Sequence, residues 1–129
     1  ILEYEMAIQI APEDGFYHFI LGERYTEIDE YDKAIIELQQ AVMFSPYDAY
    51  YSFKLGLLYI KTGLCNEALE ALKHAINLKP YERTYHSVIA EVYIENGQKD
   101  LARFHFRCAN DMDSFDTANL AIIRKRVKK

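Results

Sequence analysis

The chain has 129 residues and a net charge of −5, half of its residues are hydrophobic, and its 11 Tyr and 7 Phe come with no Trp. Such a composition argues against disorder and sets a single folded domain as the expectation. No run of about 18 uncharged apolar residues occurs and the N-terminus lacks the basic-then-apolar layout of a signal peptide, so a soluble protein without a transmembrane segment is expected.

In chain order, the first element is a helix over Ile1 to Ala11, followed by Pro12. Helix, short turn, helix and a closing Pro or its substitute then recur over residues 13–46, 47–80 and 81–114, and a last helix begins near Thr117. The period is explicit: Pro12, Pro46 and Pro80 are 34 residues apart, as are Tyr25, Tyr59 and Tyr93; Ala34, Ala68 and Ala102; and Ala7, Ala41, Ala75 and Ala109. Asp14, Asp48, Glu82 and Asp116 recur just before helix-like segments, where an acid favours the free N–H groups and the dipole. Gly63 and Gly97, with Asp29 in the equivalent place, suit the left-handed residue that ends a helix. Gly22 and Gly56, facing Ala34 and Ala68, let the paired helices approach closely. A hairpin this short cannot bury its apolar faces alone, so neighbouring units must stack.

Residues 1–12 read as the second helix of a unit whose first helix lies upstream, and the chain starts at Ile1 rather than Met. The open face of Ile1, Tyr4, Ile8 and Ile10 is therefore either the mark of a missing upstream helix or a docking surface. Residues 115–129 read as a capping helix. Arg124, Lys125, Arg126, Lys128 and Lys129 leave the preceding 123 residues with a charge of −10. An acidic body disfavours non-specific nucleic-acid binding, so no nucleic-acid partner is expected. The basic tail either complements a helix C-terminus or makes weak contact with an anionic surface.

Catalytic patterns are missing. There is no Gly-rich phosphate loop, nucleophile elbow or HExxH, and the repeat explains every glycine except Gly15. His18 and His86 share a repeat position two units apart, too distant to bridge a metal, and read as packing residues. His105, Cys108 and Asp111 offer one helix face without a fourth ligand, and Asp111, Asp113 and Asp116 lack the Gly and closing Glu of a calcium loop. No metal, cofactor or enzymatic activity is expected. Cys65 and Cys108 form no framework, which favours a reducing cytoplasm over a disulfide, so a cytoplasmic location is expected.

Leu55-Gly56, Tyr59, Gly63, Ala68, Leu72, Ala75 and Pro80 resemble the tetratricopeptide repeat signature, and the 34-residue period is that family's. Departures are His18, Ser52 and His86 where the family has Trp, Lys99 for an aromatic residue, and Ser114 for the last Pro. The resemblance implies an all-α, right-handed superhelix, an α-solenoid of antiparallel helix pairs, that binds proteins without catalysis. It also implies a concave groove lined by the stripe opposite the inward one on the first helix of each pair. At 100° per residue that stripe reads Phe16, Phe19, Glu23 and Thr26, then Tyr50, Phe53, Leu57 and Ile60, then Thr84, Ser87, Glu91 and Ile94. Ile20, Lys54 and Val88 run beside it. A stripe holding Phe16, Phe19, Tyr50, Phe53, Leu57 and Ile60 exceeds ordinary exposure, so a hydrophobic or amphipathic segment is expected to cover it.

Family members that capture chaperone C-termini use Lys, Asn, Asn, Lys and Arg; here Phe19, Glu23, Lys54, Thr84 and Val88 stand in those places, so that ligand is not expected. The expected function is an interaction scaffold or assembly adaptor for a peptide or helix. The alternative is a structural or self-associating subunit docked through its N-terminal face and basic tail.

Overall fold

The computed structural model describes residues 1–111. These are helical throughout, with short connections: α1 (Leu2–Ile10), α2 (Gly15–Glu27), α3 (Tyr31–Phe44), α4 (Ala49–Lys61), α5 (Cys65–Leu78), α6 (Arg83–Glu95) and α7, which occupies residues 99–111 as far as the description runs. The expected cap at Asp116 and the final helix lie outside the described residues. The chain divides into two compact units, Ile1–Pro80 and a second beginning at Tyr81, so the division falls at one of the repeat boundaries.

Local chemistry explains the helix limits. The Asp14 carboxylate accepts from Phe16 N at 3.0 Å, and that of Asp48 accepts from Tyr50 N at 3.1 Å and Tyr51 N at 3.4 Å. Each thereby satisfies donors that the first helical turn leaves without partners. Glu82 has the same extended backbone at the start of α6 but makes no side-chain cap. At the other end of the first helix of each pair, Asp29 sits at φ 62° and Gly63 and Gly97 at φ 79°. That left-handed residue closes the same backbone bond three times: Glu30 N to Tyr25 O, Leu64 N to Tyr59 O and Gln98 N to Tyr93 O, at 2.8–2.9 Å. The turn expectation thus holds at all three positions.

In the first unit α2 packs on α3 and α4 on α5, with α1 against α2 and α3 against α4. A Cβ at Gly22 would lie 2.9 Å from Leu38 Cγ, and one at Gly56 3.0 Å from Leu72 Cγ. The small residues are the points of closest approach, as their recurrence at the repeat period implies. Gly15, which the repeat did not explain, has its own reason: a Cβ there would collide with the Ser45 hydroxyl and lie 3.1 Å from the Ala41 carbonyl oxygen. The start of α2 therefore lies beside the end of α3, while Gly22 lies beside its middle, which makes the pair antiparallel.

The core of this unit joins Phe19, Ala34, Leu38, Ala41, Leu55, Leu58, Tyr59 and Ala68. Leu38 and Leu72 are essentially inaccessible, and burying each such side chain contributes about 1.5–3 kcal/mol. Hydrogen bonds link one pair to the next with the same 34-residue spacing. Tyr25 donates to Glu5 at 2.9 Å, joining α2 to α1, and Gln39 donates to the Tyr59 hydroxyl at 2.7 Å, joining α3 to α4.

Candidate functional site

The first helices of successive pairs, α2 and α4, supply the surface on which a partner was expected. Phe16 and Tyr50 stand half-exposed there, at 52% and 48%. Ile20, Glu23, Lys54, Leu57 and Ile60 are partly buried. Two expectations need correction. Phe19 and Phe53, placed by helical phase on the solvent-facing stripe, are only 9% and 8% exposed. Phe19 lies stacked on Tyr51 with centroids 4.6 Å apart and edge-on to Tyr50 at 5.7 Å, so it is packing between α2 and α4. Phe53 holds the same register in α4 as Phe19 does in α2. The position after the buried His18 is turned toward α4, because a stacked helix covers more than the narrow inward stripe, and the position after Ser52 is buried as well. In the second unit, Ser87 and Glu91 lie on α6, the first partly buried and the second exposed.

Between α2 and α4 a depression of about 90 Å³ opens, lined by Glu23 and Thr26, by Leu38, and by Lys54, Leu57, Leu58 and Lys61. Its floor is apolar and its rim is charged. Lys54 Nζ lies 3.4 Å from a Glu23 carboxylate oxygen and 5.9 Å from the centre of the Tyr50 ring. Lys61 Nζ stands 5.3 Å from the centre of the Tyr31 ring. The Thr26 hydroxyl donates to the Gly22 carbonyl at 2.9 Å. Helical phase alone gives Glu23, Thr26, Lys54 and Leu57 among these. Leu38 and Leu58 were missed as lining residues, since they belong to the core beneath and nothing in the sequence shows where that core is left uncovered.

The histidines act in packing, as expected for His18. Its ring is buried, stacked on Phe44 at 5.5 Å, with Nδ1 2.8 Å from a Glu37 carboxylate oxygen and Nε2 2.7 Å from the Pro12 carbonyl oxygen. In the second unit His86 and His105 bring their Nδ1 atoms to 2.9 Å, and His105 stacks on Tyr93 at 5.6 Å. Among the described residues no group of three or more His, Cys, Asp or Glu side chains could hold a metal ion, and no helix is long and apolar enough to cross a membrane. Two tyrosines near the site titrate above their ordinary value of 10.0: Tyr51 chiefly through burial, helped by Asp48 and Asp14, and Tyr25 chiefly through burial, helped by its bond to Glu5.

Comparison with known proteins adds the following. A family model described as tetratricopeptide repeat matches residues 49–82. No curated protein sequence matches. Among solved structures, a crystal structure of MamA is similar with a TM-score of 0.84 and 27% identity over 89% of this chain and 67% of that one. A MamA AMB-1 structure gives 0.79 and 29% identity over 93% and 66%. A single-substitution variant of MamA gives 0.70 and 30% identity over 76% and 72%. The chain thus spans about two thirds of the length of these structures, and the helix-pair fold described above is theirs as well.

Proposed function

Because the chain belongs to the tetratricopeptide repeat family, whose fold serves as a protein-interaction scaffold, we propose that it is a non-catalytic adaptor receiving a peptide or helical segment between α2 and α4. The observation that carries this reading is the apolar depression floored by Leu38, Leu57 and Leu58, whose lining Lys54 lies 5.9 Å from the centre of the half-exposed Tyr50 ring. Aromatic rings at the edge of an apolar bed are the usual anchors for an amphipathic segment. A setting in the cytoplasm suits two cysteines that are both free.

The test is affinity capture from the native source's extract with the wild-type chain and a Tyr50→Ala/Leu57→Ser variant, retained proteins being identified by mass spectrometry. Neither residue is among the most buried, so circular dichroism should show unchanged helical content. A partner retained by the wild type and lost from the variant supports the groove. Equal retention by both sinks it.

A second reading has its own observation. Leu2, Met6 and Ile10, four residues apart on α1, are 69%, 54% and 85% exposed. That stripe suits a structural subunit that associates through its N-terminal helix. Sedimentation of the wild type and a Met6→Glu/Ile10→Glu variant separates the two readings, because only association through α1 gives concentration-dependent species abolished by the variant.

A further inference from the structure

We infer that the depression between α2 and α4 selects an acidic side chain within an otherwise apolar partner segment, with Lys54 and Lys61 as its cations and Leu57 and Leu58 as the bed for its methylene stem. The inference rests on the groove reading above and adds the chemical class of the ligand.

Charge is the first ground. The rim carries two lysines against one glutamate, a local excess of one positive charge in a chain whose net charge is −5. Two acids of α2 are already engaged. Glu23 faces Lys54, and Glu27, one turn further along α2, pairs with Arg24 at 2.6 Å. Lys61 has no ion-pair partner among the described residues; its neighbour is the Tyr31 ring, which holds a cation weakly and leaves its N–H donors free. The contact of Lys54 with Glu23, at 3.4 Å and with both side chains about a quarter exposed, is long enough to be shared with an incoming carboxylate.

Size and shape are the second ground. A water-sized group needs about 10–15 Å³ of such space, so about 90 Å³ admits a side chain of several heavy atoms rather than a single ion. The floor is leucine, which an inorganic anion would desolvate against without compensation but the methylenes of a Glu would cover. Lys54 and Lys61 are seven residues apart on α4, about 10.5 Å along the axis. Leu57 lies between them and Tyr50 one turn before. An acid over Leu57 therefore places an apolar neighbour, two helical turns away and about 10.5 Å along the axis, beside the Tyr50 ring.

The probes are two short amphipathic helical peptides, acetylated and amidated, with identical leucines and either Glu or Lys at every polar position. Their binding to the whole chain is read by fluorescence anisotropy. The Glu peptide should bind about tenfold more tightly than the Lys peptide at low salt, and the gap should shrink in high salt as the charges are screened. A Lys54→Glu/Lys61→Glu variant should reverse the order. Equal affinities, a preference for the Lys peptide, or no binding of the Glu peptide overturns the inference. Equal affinities that both vanish in the Tyr50→Ala/Leu57→Ser variant would do so while leaving the groove reading intact. A third peptide, with Lys at every polar position but a free C-terminal carboxylate, separates the two sources of a carboxylate. Binding of that peptide as tight as the Glu peptide would assign the cations to a chain end and also overturn the proposal.

Discussion

Gly22 and Gly63 are the same residue type used for opposite reasons, and substitution separates them. A methyl at Gly63 meets nothing within 4 Å, so Gly63→Ala is opposed only by its backbone at φ 79° and should cost about 1–2 kcal/mol. At Gly22 the backbone is helical, and alanine there would gain about 1 kcal/mol of helix propensity. The methyl would lie 2.9 Å from Leu38 Cγ in the core, so the net effect should still be destabilising, by about 1 kcal/mol. Urea unfolding of both variants, and of Gly22→Ala combined with Leu38→Val, checks the distinction. Relief of packing strain appears only for Gly22, and an additive double variant would refute the close-contact account. Both glycines could be placed from the sequence, because each recurs at the repeat period. Ser52 shows the opposite case. Its hydroxyl is buried without a hydrogen-bond partner, at the position where His18 finds both Glu37 and the Pro12 carbonyl. Reading the chain could give the substitution but not its orphaned oxygen: Ala71 stands where the first repeat has Glu37, and the Pro46 carbonyl, equivalent to that of Pro12, bonds His74 instead.

Among the helices of the first unit, α1 is the least anchored. It contains no buried residue, whereas α4 contains seven. Its hydrogen-bonded ties to α2 include the Tyr25–Glu5 contact, which is exposed, and a side-chain bond between Tyr4 and the exposed Arg24. Amide exchange should therefore be fastest in α1 and slowest in α4, since local opening costs only the contacts it breaks. Tyr25→Phe should accelerate exchange in α1 with little effect in α5. Protection of α1 equal to that of α4 would show that another surface covers it in solution. The starts of α2, α4 and α6 were legible from the acids and the Pro spacing, and the turns that end α4 and α6 from the Gly spacing. What could not be read was the degree of anchoring, because the face of α1 holding Leu2, Met6 and Ile10 is as apolar as the faces that are buried.

For the molecule as a whole, pH adds a stability term whose sign follows from Tyr25 and Tyr51. Both titrate above 10.0 in the folded chain, mainly because burial disfavours the phenolate. Their contribution is complete below the unfolded value near 10 and is lost as pH rises through the higher folded value, since unfolding then releases protons. The urea midpoint should accordingly fall above about pH 10, and Tyr51→Phe should make that fall shallower. Lysines also lose charge in this range, so the comparison with the variant, rather than the raw slope, is the measurement that decides.

Taken by itself, the order of residues determined the helix pairs, their turns and their points of closest approach. Those depend on demands made within one repeat: a cap at the helix start, a left-handed residue at its end, a small residue under a leucine. Such demands recur every 34 residues and are visible as identities. Tertiary structure alone decided which apolar side chains of α2 and α4 reach solvent. Phe16 and Tyr50 do, while Phe19 is stacked on Tyr51 and Phe53 is buried. It also decided that Leu38 and Leu58 floor a depression rimmed by Lys54 and Lys61. Helical phase gives a direction for each side chain, but exposure depends on whether another helix lies in that direction, and only the packed chain supplies that neighbour.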